Sequence, residues 1–441
     1  MSLEPPVKVG KLREALHAKA KGAPGYRFYL LYDKLYRADV LAWAYERCRE
    51  NRGVSGIDDQ TFADIDKYGR QRWLDELAEE LRQQTYRPQA VRRVWIPKPD
   101  GSQRPLGIPT VKDRVVQTAA LVVLEPIFEA DLQPEQYAYR PERGAWDALR
   151  HVHTLLNTGY REVVDADLSG YFDGIPHGEL LKSVARRVSD RHVLHLIKMW
   201  LEAPVAETDR RGQEQRTYHN RNQRRGTPQG APLSPLLANL YMRRFVLGWK
   251  VLGHEQRLLA RIVNYADDFV ICCRGTAEQA MHAMRGMMAR LKLTVNERKT
   301  RICRVPGETF QFLGYTIGEC YSPRRRRCYI GTQPSQKAVQ RICRAISEMT
   351  SRRWLFLPEE EIVRTINQRL AGWANYFQLG SVSKAYNAVD RHTTYRLRTW
   401  LRRKHKVTSR AWARFPDTYL YQTLGLIRLP LLPRTFPWAN A

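Results

Sequence analysis

The stretch "RIVNYADDFVICC", Arg261 to Cys273, sets Asp267 and Asp268 side by side between two apolar runs. Ile262-Val263 precede the pair and Phe269-Val270-Ile271 follow it. The runs call for burial in a hairpin, and the aspartates resist it, because adjacent carboxylates repel and burying either one unpaired is costly. A second segment repeats the pattern: "VVDADLSGYFD" carries Asp165, Asp167 and Asp173 at the end of an apolar strand. Carboxylates converging from separate buried strands are tolerated when a divalent cation lies between them. Two Mg²⁺ ions bridged by such carboxylates form the general site for in-line phosphoryl transfer. Mg²⁺ prefers carboxylate and phosphate oxygens, so one or two Asp ligands suffice and a substrate supplies the rest. A bare Asp-Asp also suits a polar turn. The second strand and the basic charge of the chain favour the metal-binding reading.

That charge is large. The 441 residues carry a formal net charge of +28, which points to a polyanionic partner, most often nucleic acid. Residues 321–441 hold 23 Lys+Arg and 6 Asp+Glu, so +17, leaving +11 for residues 1–320. A basic C-terminal third beside a milder body suggests a binding module next to a catalytic one. The length exceeds one ordinary core and predicts two or three domains. The seven cysteines match no zinc spacing and are expected to be reduced thiols. "MSLEPPVKVGKL" lacks an apolar signal core, and no apolar run approaches the ~20 residues that span a bilayer. A cytoplasmic protein without membrane association is expected.

Apolar spacing predicts helices within residues 1–50, over 70–84, 111–130 and 231–249, and over 277–293, where a Met and Leu stripe marks a core face. "NRGVSGIDD" (51–59) is a loop. Residues 91–109 read as a hairpin turning at Asp100-Gly101, 163–175 as a buried strand entering a turn, and 258–273 as a hairpin around the paired aspartates. From about residue 320, starting with "RRRR" (324–327), the chain is expected to be helical and basic through 405.

"YADD" (265–268), preceded by "DLSGYF" (167–172) and "RGTPQGAPLSPLLANLY" (225–241), resembles the reverse transcriptases encoded by bacterial group II introns. Further segments match in order. "NRGVSGID" (51–58) resembles the family's N-terminal extension motif, and "WIPKPDGSQRPLGIPTVKDRVVQTAA" (95–120) its fingers motifs. "LEPIFEADLQPEQYAYRPERGAWDAL" (124–149) is similar to a stretch that usually reads Tyr-Gly-Phe-Arg-Pro; here it is Tyr-Ala-Tyr-Arg-Pro. "LKLTVNERKTRI" (291–302) and "FQFLGY" (310–315) resemble the last palm motifs. "INQRLAGWANYFQLGSVSKAYNAVDRHTTYRLRTWLRRKH" (366–405) is similar to the maturase or X domain, which is also the thumb. The likeness covers roughly residues 25–405.

The resemblance implies roles residue by residue. Asp167 and Asp267 are the metal ligands, and Asp268 completes the triad close to the metals and the primer terminus. Asp165 and Asp173 fall outside the catalytic positions and are expected to be local structural residues or to back the catalytic ones from behind. Phe172 is implied as the ring that excludes the 2′-hydroxyl of an incoming nucleotide. Lys98 and Arg104 lie on opposite arms of the 91–109 hairpin, where two cations can hold a triphosphate. Gln229 lies beside the nucleotide, with Gly230 allowing close backbone approach. Tyr265 packs on the primer terminus or is a half-buried strand aromatic. Lys299 is a possible general acid for pyrophosphate departure or a solvated lysine. Arg114 holds template phosphate or forms a structural salt bridge.

The implied fold is α+β: a right-hand polymerase with antiparallel sheet in fingers and palm, followed by an α-helical thumb. Residues 1–90 are the N-terminal extension and start of the fingers, 91–320 fingers and palm, and 321–405 the thumb or maturase domain. Residues 406–441 are a tail or a small DNA-binding remnant. The implied activity is RNA-directed DNA synthesis from dNTPs with two Mg²⁺ ions, using an RNA template and a DNA primer or target. Binding and splicing of an intron RNA, and retrohoming, accompany it. No cysteine follows Cys343, so the form without the C-terminal Cys/His endonuclease is expected. A relative detached from any intron, serving in repair, phage defence or spacer acquisition, is the alternative, as is a maturase acting mainly as an RNA-binding splicing factor. The sequence leaves the oligomeric state open.

Overall fold

The computed structural model describes residues 4–97, 103–208, 213–322, 326–408 and 411–432. Its strands are β1 Val91–Pro97, β2 Gln103–Ile108, β3 Glu162–Ala166, β4 Val205–Thr208, β5 Glu214–Thr217, β6 Ala260–Tyr265, β7 Asp268–Cys273, β8 Arg301–Arg304, β9 Phe310–Phe312, β10 Tyr315–Ser322 and β11 Arg327–Pro334. The longer helices are α1 Val7–Gly22, α2 Ala38–Glu50, α3 Arg70–Arg82, α4 Val111–Glu129, α5 Ala145–Asn157, α6 His177–Ala185, α7 Arg191–Glu202, α8 Ser234–Val251, α9 Ala277–Arg290, α10 Gln336–Met349, α11 Glu359–Tyr376 and α12 Ser383–Lys404.

A central sheet of order β6-β7-β3-β8, antiparallel throughout, carries both aspartate segments. Successive side chains of a strand point to opposite faces, so the register sorts them between two cores. Val164, Phe269 and Ile271 face a core shared with helices α1 to α4, α8 and α9. Val163, Val263, Val270 and Cys272 face a second core with α5 and a sheet of order β11-β10-β9. Helix α4 is apolar on nearly every side and therefore lies inside the first core; Thr110 caps its start by accepting the Asp113 N–H at 3.1 Å. The Met284, Met287 and Met288 stripe of α9 is buried in the same core, as its spacing predicts. A third core joins α10, α11 and α12.

Helix α1 is tied down by residues far along the chain. Arg13 donates to Glu125 at 2.6 Å, and the buried Arg187 guanidinium donates to the carbonyls of Ala20 at 2.5 Å and Ala23 at 2.9 Å. The helical C-terminal part is fixed to α5 and to the turn between β9 and β10 in the same manner. The Trp146 indole N–H donates to the Tyr376 carbonyl at 2.9 Å, and Tyr376 donates its hydroxyl to the Leu313 carbonyl at 2.9 Å.

The expectation of helix from residue 320 is corrected. Tyr315–Ser322 and Arg327–Pro334 form an eight-pair antiparallel hairpin, and helix begins only at Gln336. Buried and less buried positions alternate along Tyr315, Thr316 and Ile317, the period of a strand. Of the arginine run, Arg326 lies in the turn and Arg327 opens β11, and Arg324 and Arg325 lie outside the described residues.

Candidate active site

The 91–109 hairpin pairs Ile96 with Arg104, and β1 adds in parallel to β4, giving a second sheet of order β2-β1-β4-β5. Lys98 and the turn at Asp100-Gly101 lie outside the described residues. Arg104 lines a cavity of ≈ 650 Å³ together with Asp167, Asp267, Phe172, Gln229 and Lys299. Six of the residues singled out from sequence therefore share one open space, although they come from segments up to 195 positions apart (299 − 104).

The tip of the β6–β7 hairpin delivers Asp267. Tyr265 pairs with Asp268, leaving Ala266 and Asp267 as the turn. Ala266 has φ +58°, a left-handed conformation unfavourable for a residue with a Cβ and kept where surrounding contacts enforce it. Asn264 supplies one such contact by donating its amide to the Ala266 carbonyl at 2.7 Å. On the outer side of β6, Asn264 also exchanges backbone hydrogen bonds with Glu135 and Tyr137, so the Tyr-Ala-Tyr-Arg-Pro stretch borders the catalytic hairpin. Arg140 of that stretch holds the loop by donating to Glu129 and to the carbonyls of Gln133 and Gln136, both at 2.7 Å.

Asp167 sits just past the end of β3 in a cradle made by residues 294–300. Asn296 donates its backbone N–H to the Asp167 carbonyl at 2.8 Å and its amide to Oδ2 at 2.9 Å. Lys299 Nζ lies 3.4 Å from the same Oδ2. Burial raises the pKa of Asp267; the Arg104 charge opposes the rise and the Asp167 carboxylate adds to it.

Asp268 stands apart. It does not line the cavity, and the register places it on the face of β7 that carries Val270. Asp165 pairs with Val270 across β3 and so shares that face. Burial pushes Asp268 up to about 7, reinforced first by Asp165 and then by Asp267, while the Leu313 N–H donates to it and counters the rise. Asp165 is pushed up to about 6 by burial, with Arg301 holding it down from 3.7 Å. Asp165, expected to be structural or to back the catalytic residues, is thus the acidic group whose charge bears most on Asp268.

The remaining residues divide. Gln229 donates to Asp173 at 3.3 Å and its carbonyl accepts the Gly107 N–H at 2.6 Å, so the "TPQG" segment clasps the β1–β2 hairpin. Gly230 has φ +113°, and a Cβ there would lie 2.6 Å from the Gly107 carbonyl oxygen, which explains the glycine. Phe172 is half-buried and touches Tyr171 edge-on at 5.7 Å. Tyr265 is half-buried against the second core, outside the cavity lining. Arg114 is only 9% exposed; it donates to the Val54 carbonyl at 2.8 Å and lies over the Phe62 ring. It thereby anchors the 51–59 loop and takes no part in the cavity.

Sequence reasoning passed over two cavity residues. Asn296 was visible only as part of a motif, since its partner Asp167 lies 129 positions away. Tyr139 has φ +54° and is 53% exposed at the cavity wall, and Asp267 and Tyr265 both add to the rise that burial causes in its pKa. Its place follows from the loop that Arg140 ties.

A profile of the family "Reverse transcriptase (RNA-dependent DNA polymerase)" matches residues 96–317. The chain belongs to this family. The enzyme class expected from the sequence, an RNA-directed DNA polymerase, and the α+β fold with antiparallel sheet ahead of a helical region both hold. The maturase-specific domain of group II introns matches residues 339–415. Protein YkfC of Escherichia coli K12 is 34% identical over 300 residues, 60% of this chain and 76% of YkfC. The group II intron-encoded protein LtrA of Lactococcus lactis is 29% identical over 354 residues, 66% of this chain. The reverse transcriptase spans 57% of the length of LtrA. Nuclear intron maturase 2 of Arabidopsis thaliana is 39% identical over 94 residues, 21% of this chain and 13% of its own length. The two matched domains imply RNA among the partners, and reverse transcriptase domains use divalent metal ions. Among the described residues no helix is long and apolar enough to cross a membrane.

The cavity suits such ions in its donor chemistry. Asp167 and Asp267 supply carboxylate oxygens, and the Asp167 charge disfavours that of Asp267. Among the described residues no three His, Cys, Asp or Glu side chains converge tightly enough to hold an ion alone. Two carboxylates with substrate phosphate oxygens meet the requirement of Mg²⁺, which keeps water and substrate among its ligands.

Proposed function

We propose that the protein copies RNA into DNA by adding deoxynucleotides to a primer 3′-hydroxyl, and that it also binds an intron RNA as a maturase supporting splicing and retrohoming. The observation that carries the first part is the meeting of Asp167 and Asp267 with Arg104, Phe172, Gln229 and Lys299 in one cavity. Residues 91–320 act as fingers and palm, and 321–405 as thumb. Asp167 and Asp267 would hold two Mg²⁺ ions, with Asp268 supporting them from the far face of β7; bound there, the ions would lower the pKa of the attacking hydroxyl and stabilise the leaving oxygen.

The chain's own side chains do the rest. Arg104, with Lys98 across the hairpin, neutralises the triphosphate. Gln229 lies beside the incoming nucleotide, its amide fixed by Asp173. Phe172 sets a ring against the sugar and excludes a 2′-hydroxyl. Tyr265 supports the primer end. Lys299, held 3.4 Å from Asp167, is placed to give a proton to departing pyrophosphate. The seven unpaired cysteines support action in the cytoplasm.

The test is primer extension on an RNA template with Mg²⁺. Asp267→Ala is expected to abolish synthesis while the melting temperature holds. Undiminished synthesis overturns the copying role. The same variant is expected to keep promoting intron splicing, because RNA binding does not need the carboxylate.

A further inference from the structure

A second polar cleft, of ≈ 220 Å³, opens between the end of α4, helix α6 and the middle of α8. Lys182, Arg186, Arg243 and Arg244 line it, against two carboxylates, Asp131 and Glu179. It shares no lining residue with the catalytic cavity. Helix α8 links them: Pro235 lines the cavity and Arg243 the cleft, 243 − 235 = 8 residues or about 12 Å along the axis at ~1.5 Å per residue.

The two carboxylates are already engaged. Glu179 accepts from Arg244 at 2.9 Å and Lys182 at 3.1 Å. Asp131 faces the buried Arg187 at 3.3 Å, and its backbone carbonyl accepts Arg243 Nε at 2.6 Å. Arg186 makes no side-chain hydrogen bond or ion pair with any described residue, and it is exposed at the cleft. Burial lowers the pKa of Arg243; the Asp131 charge opposes the fall, and the neighbouring charges of Arg186 and Arg187 add to it, so three guanidinium groups crowd the one Asp131 carboxylate. A concave site with surplus guanidinium charge fits an anion, and the planar fork of arginine matches phosphate oxygens. In a chain of net charge +28 with a maturase-specific domain, the phosphate most available in a repeating array is that of RNA.

We propose that this cleft is a binding site for the phosphate backbone of a folded RNA, separate from the path of the strand being copied. The inference rests on the RNA-binding part of the proposed function and not on the copying chemistry.

The full-length protein with Lys182→Ala and Arg186→Ala tests it, using three probes: a blunt RNA hairpin, a DNA-primed RNA template and polyglutamate. Neither side chain holds the fold, and unchanged melting checks this. Hairpin affinity is expected to fall roughly 10-fold and the slope of log affinity against log salt to drop by about 1–2. Primer-template binding and primer extension are expected to stay unchanged, and Arg186→Lys to retain hairpin affinity. Unaltered hairpin affinity and slope overturn the inference. Equal loss on the primer-template places the cleft on the copying path and overturns it too. A loss with polyglutamate alone assigns the cleft to an acidic protein surface instead. If the unaltered protein fails to bind the hairpin, the RNA-binding reading itself falls; if it binds and the double variant binds equally, only this inference falls.

Discussion

Asn296 donates its amide to Asp167 Oδ2 at 2.9 Å, the same oxygen that faces Lys299 at 3.4 Å. One carboxylate oxygen is thus held by a neutral donor and a cation together, which fixes its direction towards the cavity. Removing a group that orients a metal-binding carboxylate costs roughly 10–100-fold in metal affinity or activity. Asn296→Ala is expected to lose activity in that range and to regain part of it as Mg²⁺ is raised. A Mg²⁺ titration of primer extension checks this; a loss that saturating metal leaves untouched contradicts it.

Gly230 tests the clasp between the "TPQG" segment and the fingers. With φ +113° and the Gly107 carbonyl 2.6 Å from an added Cβ, Gly230→Ala forces both strain and displacement. The expected loss is about 1–3 kcal/mol of stability, with a raised KM for dNTP. Urea denaturation and steady-state kinetics measure the two effects separately.

Phe172 is half-buried at the cavity wall, so truncation leaves most of the core in place. Phe172→Ala is expected to cut discrimination between dNTP and rNTP by roughly 10-fold or more. Competition between the two nucleotides on one template reads the ratio directly; an unchanged ratio rules out the gate.

The histidines His151, His153 and His177 all have pKa values lowered by burial. The folded state therefore favours neutral rings, and the unfolded chain takes up these protons first as pH falls. These rings contribute a decline in stability beneath about pH 6.5, against the opposite contribution of Asp165 and Asp268, whose raised pKa values make the folded state hold protons that the unfolded chain releases. Denaturant midpoints of single-histidine variants, set against the unaltered protein between pH 8 and about 5, are expected to isolate the histidine part of that slope. His153→Gln, which keeps a donor for the Ile330 carbonyl now 3.0 Å from the ring, is expected to flatten it.

What the sequence revealed follows from how local each signal is. The β6–β7 hairpin announces itself because its apolar runs and its charges are neighbours in the chain. Helices α4, α8 and α9 show through their spacing, and "TPQG" through its turn residues. The β9–β11 sheet was obscured because four consecutive arginines in the sequence interrupt its alternation, the last of them opening β11. The companionship of Asp268 with Asp165 depends on strand register, which neither segment encodes alone. Arg114 suits a template contact or a structural salt bridge by sequence, and folding instead turns it to the Val54 carbonyl under the 51–59 loop. Gly53 belongs to the same arrangement, because a side chain there would collide with the Arg114 guanidinium.

The hold of Arg187 on helix α1 has a consequence for biosynthesis. The carbonyls of Ala20 and Ala23 wait for a guanidinium that follows 187 − 23 = 164 residues after Ala23. At a ribosomal pace of ~5–20 residues per second, that wait is roughly 8–30 s. During it the start of α1 already has α4 to pack on, since Arg13 meets Glu125, while its C-terminal end stays untied. The two ends of the segment made first are thus secured at different times in synthesis.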